Sequence, residues 1–89
     1  MASADGSDVG EIFGGVLQRR RQAVGITQEE LAFRAEVDRT FVSRLERGIR
    51  QQTITTLIGL ATALNVSAAD LVRETEAEYL RTKPRKARK

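Results

Sequence analysis

The sequence contains no cysteine, no histidine and no tryptophan, and aromatic residues make up only 4% of its 89 positions. Without cysteine it has neither a disulfide framework nor a thiolate zinc site, so nothing in the composition indicates an oxidising compartment. The absence of histidine and cysteine also removes the commonest general bases, nucleophiles and transition-metal ligands. The composition therefore predicts a protein that is not an enzyme and that uses no metal and no cofactor.

Long hydrophobic runs are missing as well. No apolar stretch approaches the roughly 20 residues of a membrane-spanning helix. The first residues, MASADGSD, are small and acidic rather than basic and then apolar, as a secretory signal would be. A chain of this length forms one small domain, able to bury roughly 60–65% of its unfolded surface. We expect a soluble cytoplasmic protein that makes no contact with a membrane.

Basic residues outnumber acidic ones by fifteen to twelve, but they are unevenly distributed along the chain. Residues 81–89, RTKPRKARK, hold six of the basic residues and no acidic one, so that residues 1–80 carry a net charge of −3. We expect residues 81–89 to be a basic flexible tail and residues 1–8, which lack periodicity, to be a disordered arm. The tail either follows the phosphates of a nucleic acid or only keeps the protein soluble.

Helix signals recur five times along residues 9–80, whereas no alternation of apolar and polar residues predicts a strand. The helix boundaries follow from residues that are suited to cap a helix start or to end a helix. The predicted helices lie at about 9–24 and 28–35, between Asp38 and Gly48, between Thr53 and Asn65, and from Ser67 to about Leu80. Phe13, Leu17 and Val24 fall on one apolar stripe of the first helix, and Thr27 is suited to cap the second. The sequence therefore predicts an all-α domain, a five-helix bundle with short connections.

The second and third predicted helices are separated by a turn of only two or three residues. Val37 is apolar and lies within this turn, so we expect it to fill the angle between the two helices. A short helix, a tight turn and a second short helix form a helix-turn-helix, whose second helix is presented to a groove of DNA.

The third predicted helix has two distinct faces. Its apolar stripe consists of Phe41, Val42, Leu45 and Ile49. Its polar stripe consists of Arg39, Thr40, Ser43, Arg44 and Arg47, and contains no acid. Arginine can donate two hydrogen bonds to the O6 and N7 atoms of guanine, and the short hydroxyls reach bases or phosphates without filling the groove. A merely solvated helix face would normally mix charges of both signs, so this face favours double-stranded DNA as the partner.

Residues 13–72 resemble the phage repressor and Cro (XRE-like) helix-turn-helix family. The resemblance rests on Arg21 and on four motifs: GITQEELA at 25–32, VDRTFVS at 37–43, LERG at 45–48 and LNVS at 64–67. It implies the fold of the λ-repressor-like DNA-binding domains and the function of a Cro/C1-type transcription regulator or repressor. The stretch DRTFVS and the small size are further similar to the controller proteins of restriction–modification systems.

The resemblance also implies roles for individual residues. Gln28 matches a glutamine that clamps a DNA phosphate, helped by the positive end of its helix. Arg39, Thr40 and Ser43 match positions that read bases, while Arg44 and Arg47 match positions that contact bases or backbone. Arg50 lies in a loop that often supplies further phosphate contacts.

Two other positions of the family pattern concern the fold. Arg21 and Glu46 match a pair that forms an internal salt bridge in this family, so the resemblance assigns Glu46 a structural role. The turn position that the family often fills with glycine is Glu36. This residue must therefore adopt a backbone angle that is uncomfortable for an L residue, or the turn must shift slightly.

Four apolar residues of the last two predicted helices suggest a contact with a second copy of the chain. Ile58, Val72, Tyr79 and Leu80 could form a symmetric dimer patch, although the last two could instead belong to a helix that lies on its own domain. A two-fold pair of recognition helices, about 34 Å apart, would read a palindromic operator. Phe33 lies off the apolar stripe of its helix, where it either packs at the edge of the core or contacts a partner protein.

Three glycines near the start of the chain also have two interpretations. Gly10, Gly14 and Gly15 could suggest a phosphate-binding loop, but no strand precedes them and no GKS or GKT follows. Close packing between helices is the simpler interpretation.

The sequence thus predicts a DNA-binding transcription regulator that acts as a homodimer. Two alternatives remain at this stage. One is an antitoxin-type regulator that also covers a toxin protein. The other is a protein-interaction module whose helix-turn-helix no longer binds DNA.

Overall fold

Five α-helices make up the part of the chain that the computed structural model describes, residues 6–82, and this part contains no strand. The prediction of an all-α fold with five helices is confirmed. The helices are α1 (Gly6–Val24), α2 (Gln28–Ala35), α3 (Arg39–Glu46), α4 (Ile54–Ala63) and α5 (Ala68–Thr82).

The predicted helix starts are confirmed for α2 to α5, because each is capped by the side chain of the expected residue. In α2 the hydroxyl of Thr27 accepts a hydrogen bond from the backbone N–H of Glu30 at 3.0 Å. In α3 the carboxylate of Asp38 accepts one from the N–H of Thr40 at 2.9 Å. Thr53 and Ser67 do the same for α4 and α5. Each bond satisfies a backbone donor that has no partner within its helix.

The first and the last helix extend further than the sequence predicts. Helix α1 begins at Gly6 rather than at residue 9, so residues 6–8 are helical and do not belong to a disordered arm. Small and acidic residues are typical of disordered arms and of first helical turns alike, because negative charge stabilises the N-terminal end of the helix dipole. Residues 1–5 lie outside the described part of the chain.

Helix α5 continues through Arg81 to Thr82, so the first two residues of the predicted tail are helical. Two contacts within the last turn support this extension. Arg81 pairs with Glu78 at 3.6 Å, and the hydroxyl of Thr82 donates to the carbonyl of Tyr79 at 3.1 Å. The remaining tail, residues 83–89, lies outside the described part.

The core lies where α1 packs against α3 and α5 and where α2 and α4 close the remaining sides. Its fully buried large side chains come from all five helices: Val16, Leu17, Leu31, Val42, Leu45, Leu60, Leu64 and Leu71. Two expectations about burial are wrong: Val24 is 46% exposed and Ile49 is 60% exposed. Phe33 is 78% exposed, which excludes the first of its two interpretations, packing at the edge of the core.

The turn between α2 and α3 keeps its geometry despite the glutamate at its glycine-favouring position. Glu36 lies in the left-handed region at φ 60° and ψ 43°, so the first of the two expected possibilities is correct. The N–H of Val37 donates to the carbonyl of Ala32 at 3.0 Å, which closes the C-terminus of α2. Val37 itself is half-buried against the core, as expected.

Replacing Glu36 with glycine should raise the free energy of unfolding by about 0.5–1 kcal/mol. The left-handed conformation costs a non-glycine residue roughly 1–2 kcal/mol, of which glycine's greater freedom in the unfolded chain offsets a part. Chemical denaturation measures the change. Glu36→Ala is the control because it keeps the unfavourable angle, and an equal gain for both variants would contradict backbone strain as the cause.

Ion pairs connect α1 with α5 on the surface. Arg19 pairs with Glu78 at 2.9 Å, and Arg20 pairs with Glu74 at 3.0 Å. These pairs hold the second half of α5 along α1.

Within residues 6–82 no single helix is long and apolar enough to cross a membrane. Helices α4 and α5 taken together would be long and apolar enough, but they are bent by 104° where they join.

Candidate nucleic-acid interface

Helix α3 is amphipathic, and its polar face points away from the protein. Val42, Leu45 and Glu46 are its buried residues. Arg39, Thr40 and Arg44 are exposed, and Ser43 between them is half-buried. Arg47 follows directly after the helix and is exposed as well. The five residues of the predicted polar stripe therefore lie outside the core.

The arginines of this face differ from the other arginines of the described chain in having no acidic partner. Residues 6–82 contain ten arginines, and six of them form salt bridges: Arg19, Arg20, Arg21, Arg34, Arg73 and Arg81. The other four are Arg39, Arg44, Arg47 and Arg50, and none of them pairs with an acid in the described part of the chain. We call these four residues the arginine face. Guanidinium groups without an internal carboxylate partner are available to an external anion.

Arg50 is held close to α3 by an aromatic contact that the sequence did not reveal. Its guanidinium carbon lies 5.4 Å from the centre of the Phe41 ring, within the range of a cation–π interaction. Phe41, expected to be buried, is half-buried, and its ring supports this contact. The loop after α3 thus brings Arg50 beside the recognition helix. No periodicity in the sequence could have indicated this pairing.

A buried ion pair connects the end of α3 to α1. Nε of Arg21 donates to Glu46 at 2.6 Å, and Nη2 donates to the other carboxylate oxygen at 3.1 Å. The side chains are only 11% and 2% exposed. Nη1 of Arg21 also donates to the carbonyl of Ile26 at 2.9 Å, which ties the α1–α2 turn into the same network. The structure thus contains the salt bridge that the resemblance implied.

Gln28 lies at the first position of α2, and its side chain joins this network. Its amide nitrogen donates to Glu46 at 2.9 Å. The residue is half-buried, so that part of it faces solvent beside the N-terminus of α2. The resemblance pointed to a phosphate contact for Gln28, but gave no sign of its bond to Glu46.

A close approach of two backbones fixes the end of α3. A methyl group added to Gly14 would lie 2.6 Å from the carbonyl oxygen of Glu46, far inside the normal contact distance, and would also strike the carbonyl of Leu45. Gly15 has only the flexible end of Arg19 nearby, at 3.6 Å. The interpretation of close helix packing is therefore confirmed for Gly14.

Two of the four residues expected in a dimer patch line the same groove. Val72 and Tyr79 line one groove between α1 and α5, together with Val9, Thr75 and Glu76. Val9, which was not expected in this patch, is 39% exposed. Ile58 and Leu80 are 52% and 56% exposed but do not line this groove.

The fold, the tight turn and the arginine face together define a helix-turn-helix DNA-binding protein. The family model described as "Helix-turn-helix" matches residues 17–71, which is more than half of the chain. This protein therefore belongs to the XRE-type helix-turn-helix family and is a helix-turn-helix transcriptional regulator.

Three relatives agree with this assignment. An uncharacterized HTH-type transcriptional regulator, y4dJ of Sinorhizobium fredii, is 41% identical over 69 residues, covering 78% of this chain and 90% of that protein. The control protein C.BamHI of Bacillus amyloliquefaciens is 35% identical over 57 residues, covering 64% and 70%. The crystal structure of the restriction-modification controller protein C.AhdI from Aeromonas hydrophila matches with a TM-score of 0.69 and 39% identity, covering 72% of this chain and 96% of the other.

Proposed function

We propose that this protein binds a palindromic operator as a homodimer and regulates transcription in the manner of a restriction–modification controller. The arginine face is the observation that carries the proposal. Six arginines elsewhere in the described chain are paired with carboxylates, whereas the four on and after α3 are exposed and have no acidic partner there. Such a face suits the major groove of a duplex.

The proposed roles divide between bases and phosphates. Arg39, Thr40 and Ser43, in the first five residues of α3, read base edges in the major groove. Gln28 binds a phosphate at the N-terminus of α2, and Arg50 binds another from its position over Phe41. Arg44 and Arg47 contact bases or backbone further along the same face.

Dimerisation supplies the length of DNA that the function requires. One eight-residue helix reads few base pairs, and a two-fold pair about 34 Å apart reads a palindrome. We assign the dimer contact to the exposed residues Ile58, Val72 and Leu80 and to the half-buried Tyr79, and add the exposed Val9. In this proposal the protein acts in the cytoplasm, needs no cofactor and is not an enzyme.

Selection of bound fragments from a random duplex library tests this function. We expect an enriched motif with two-fold symmetry and half-sites separated by about one helical turn. The same preparation should sediment as a dimer. Failure to enrich any motif would contradict sequence-specific binding, and an enriched single half-site would contradict the dimer.

Arg39→Ala should weaken binding to the selected operator by about 1–3 kcal/mol and relax the preference at one base pair of each half-site. Arg39 is proposed to donate to a base, so binding to random duplexes should change much less. Equilibrium titrations of both duplexes measure the effect. Arg73→Ala on α5 is the control, because it removes an exposed arginine that does not belong to the arginine face. An equal loss on operator and random DNA would contradict base reading by Arg39.

Removal of residues 83–89 should weaken binding to all duplexes similarly and flatten the dependence of affinity on salt concentration. We propose that this basic tail, which has no aromatic residue for base stacking, contacts phosphates only. The slope of log K against log salt measures the number of phosphates neutralised. An unchanged slope would place the tail outside the interface.

Binding to a protein partner is a second candidate function, favoured by Phe33. Its side chain is 78% exposed on α2, beside Thr27, Glu29 and Glu30. An antitoxin-type regulator would use such a surface to cover a small toxin. Co-purification of a stoichiometric partner, abolished by Phe33→Ala while operator binding persists, would support this function, and a homodimer alone would exclude it.

A further inference from the structure

Glu46 makes a contact that a purely internal salt bridge does not require. Its carboxylate accepts two hydrogen bonds from Arg21 and a third, at 2.9 Å, from the amide nitrogen of Gln28. Glu46 is the last residue of α3, and Gln28 is the first residue of α2. The buried carboxylate therefore links the end of the recognition helix directly to the residue at the N-terminus of α2.

This contact determines which way the Gln28 amide faces. An ionised carboxylate only accepts hydrogen bonds, so the amide must turn its nitrogen, not its oxygen, towards Glu46. The amide nitrogen carries two hydrogens, and the bond to Glu46 uses one of them. The second hydrogen then points away from the carboxylate.

Arg21 makes this arrangement compatible with a nearby phosphate. Its guanidinium lies against the carboxylate at 2.6 Å and 3.1 Å and offsets the charge of Glu46. Without that neutralisation, an acidic group behind Gln28 would repel a DNA phosphate. Because the side chain of Glu46 is only 2% exposed, it cannot contact the DNA itself, and it can affect a phosphate contact only through Gln28.

We propose that Glu46 is a positioning residue for DNA binding: it fixes the Gln28 amide so that the remaining N–H is presented to a phosphate at the N-terminus of α2. This inference rests on the phosphate contact proposed for Gln28. An amide held in place before binding loses less conformational freedom when the complex forms, which corresponds to about 3- to 10-fold in affinity at that phosphate.

Binding to operator duplexes that carry one uncharged methylphosphonate, moved along each half-site, tests the proposal. In the wild-type protein each contacted phosphate should show a loss of affinity when it is replaced. Gln28→Met, which keeps the length but removes the amide, should abolish the loss at one phosphate and so identify it. If it abolishes the loss at none, Gln28 makes no phosphate contact, and both that part of the proposed function and this inference are wrong.

Glu46→Gln then tests the positioning role. Its amide has one acceptor oxygen, which faces the buried Arg21 guanidinium, and a nitrogen that donates and can therefore bind only the oxygen of the Gln28 amide. The Gln28 amide thus loses the orientation that Glu46 imposes on it. We expect the loss of affinity caused by the methylphosphonate at the Gln28 phosphate to fall about 3- to 10-fold, while the losses at the other contacted phosphates stay unchanged. Glu74→Gln, which breaks a pair between α1 and α5, is the matched control and should alter none of them.

Two results would overturn the inference while leaving the proposed function intact. One is an unchanged loss of affinity at the Gln28 phosphate in Glu46→Gln. The other is an equal fall at every phosphate, as a general loosening of the fold would produce. If circular dichroism shows that Glu46→Gln is unfolded, the mobility of the Gln28 side-chain amide in the free wild-type protein, measured by NMR relaxation, replaces it. A rigid amide is required, and an amide as mobile as that of the exposed Gln22 would overturn the inference.

Discussion

Arg21→Ala is expected to lower the free energy of unfolding by about 3–5 kcal/mol, the range for removing one partner of a buried ion pair. The variant leaves the carboxylate of Glu46 in the protein interior without its cation, and it also loses the bond from Arg21 to the carbonyl of Ile26. A domain of this size has about 5–15 kcal/mol of stability in total, so the loss is a large fraction of it. Thermal and chemical denaturation measure the change.

The neighbouring residue supplies the control. Arg20 also forms an ion pair, with Glu74, but the two side chains are 36% and 35% exposed, so Arg20→Ala should cost no more than about 1 kcal/mol. At a temperature where Arg21→Ala is folded, it should still select the wild-type operator motif, since Arg21 lies behind the arginine face. Unchanged unfolding of Arg21→Ala, or a changed motif, would contradict the structural role.

Gly14→Ala is the second substitution with a large expected effect, a loss of about 3 kcal/mol or more. The added methyl carbon would lie 2.6 Å from the carbonyl oxygen and 2.9 Å from the carbonyl carbon of Glu46. These are backbone atoms, so α1 and α3 must move apart, and the core residues between them lose contact. Urea denaturation of the purified variant measures the loss.

Gly15→Ala is the matched control for this prediction. Gly15 also lies inside α1, but its methyl group would meet only the end of Arg19 at 3.6 Å. Alanine is favoured over glycine within a helix by roughly 0.5–1 kcal/mol, so this variant should be slightly more stable than the wild type. A similar destabilisation of both variants would show that the close approach at Gly14 is not the cause.

The helices could be predicted from the sequence because their boundaries depend on local chemistry. Thr27, Asp38, Thr53 and Ser67 each cap the helix that follows, and each does so with its own side chain. Bonds between residues two or three positions apart do not depend on the rest of the fold. The extension of α5 to Thr82 was missed because the charge of the tail dominated the expectation for residues 81 and 82.

The two errors in predicted burial, at Ile49 and Val24, have different causes. Ile49 was placed on the apolar stripe of α3, but α3 ends at Glu46 and Gly48 turns the chain at φ 77°, so helical spacing no longer applies at Ile49. Val24 was placed on the stripe of α1, yet the buried position in its last turns is taken by Arg21. An arginine that is buried by pairing with a distant acid cannot be found from hydrophobic periodicity.

The contacts that complete the candidate site depend on tertiary structure. Gln28 reaches Glu46 across 18 positions of sequence, and Arg50 reaches Phe41 across the end of α3. Neither pair follows from helical spacing. By contrast, four of the five residues of the polar stripe, Arg39, Thr40, Ser43 and Arg44, were predictable because they share one face of a single short helix.

The placement of the arginine face in the major groove is the central claim, and methylation interference on the selected operator tests it most directly. Methylation of guanine at N7 alters only the major-groove edge of the base. We predict that methylated guanines within each half-site block binding of the wild-type protein, and that one of them ceases to do so in Arg39→Ala. Binding that tolerates methylation at every guanine of both half-sites would contradict the claim.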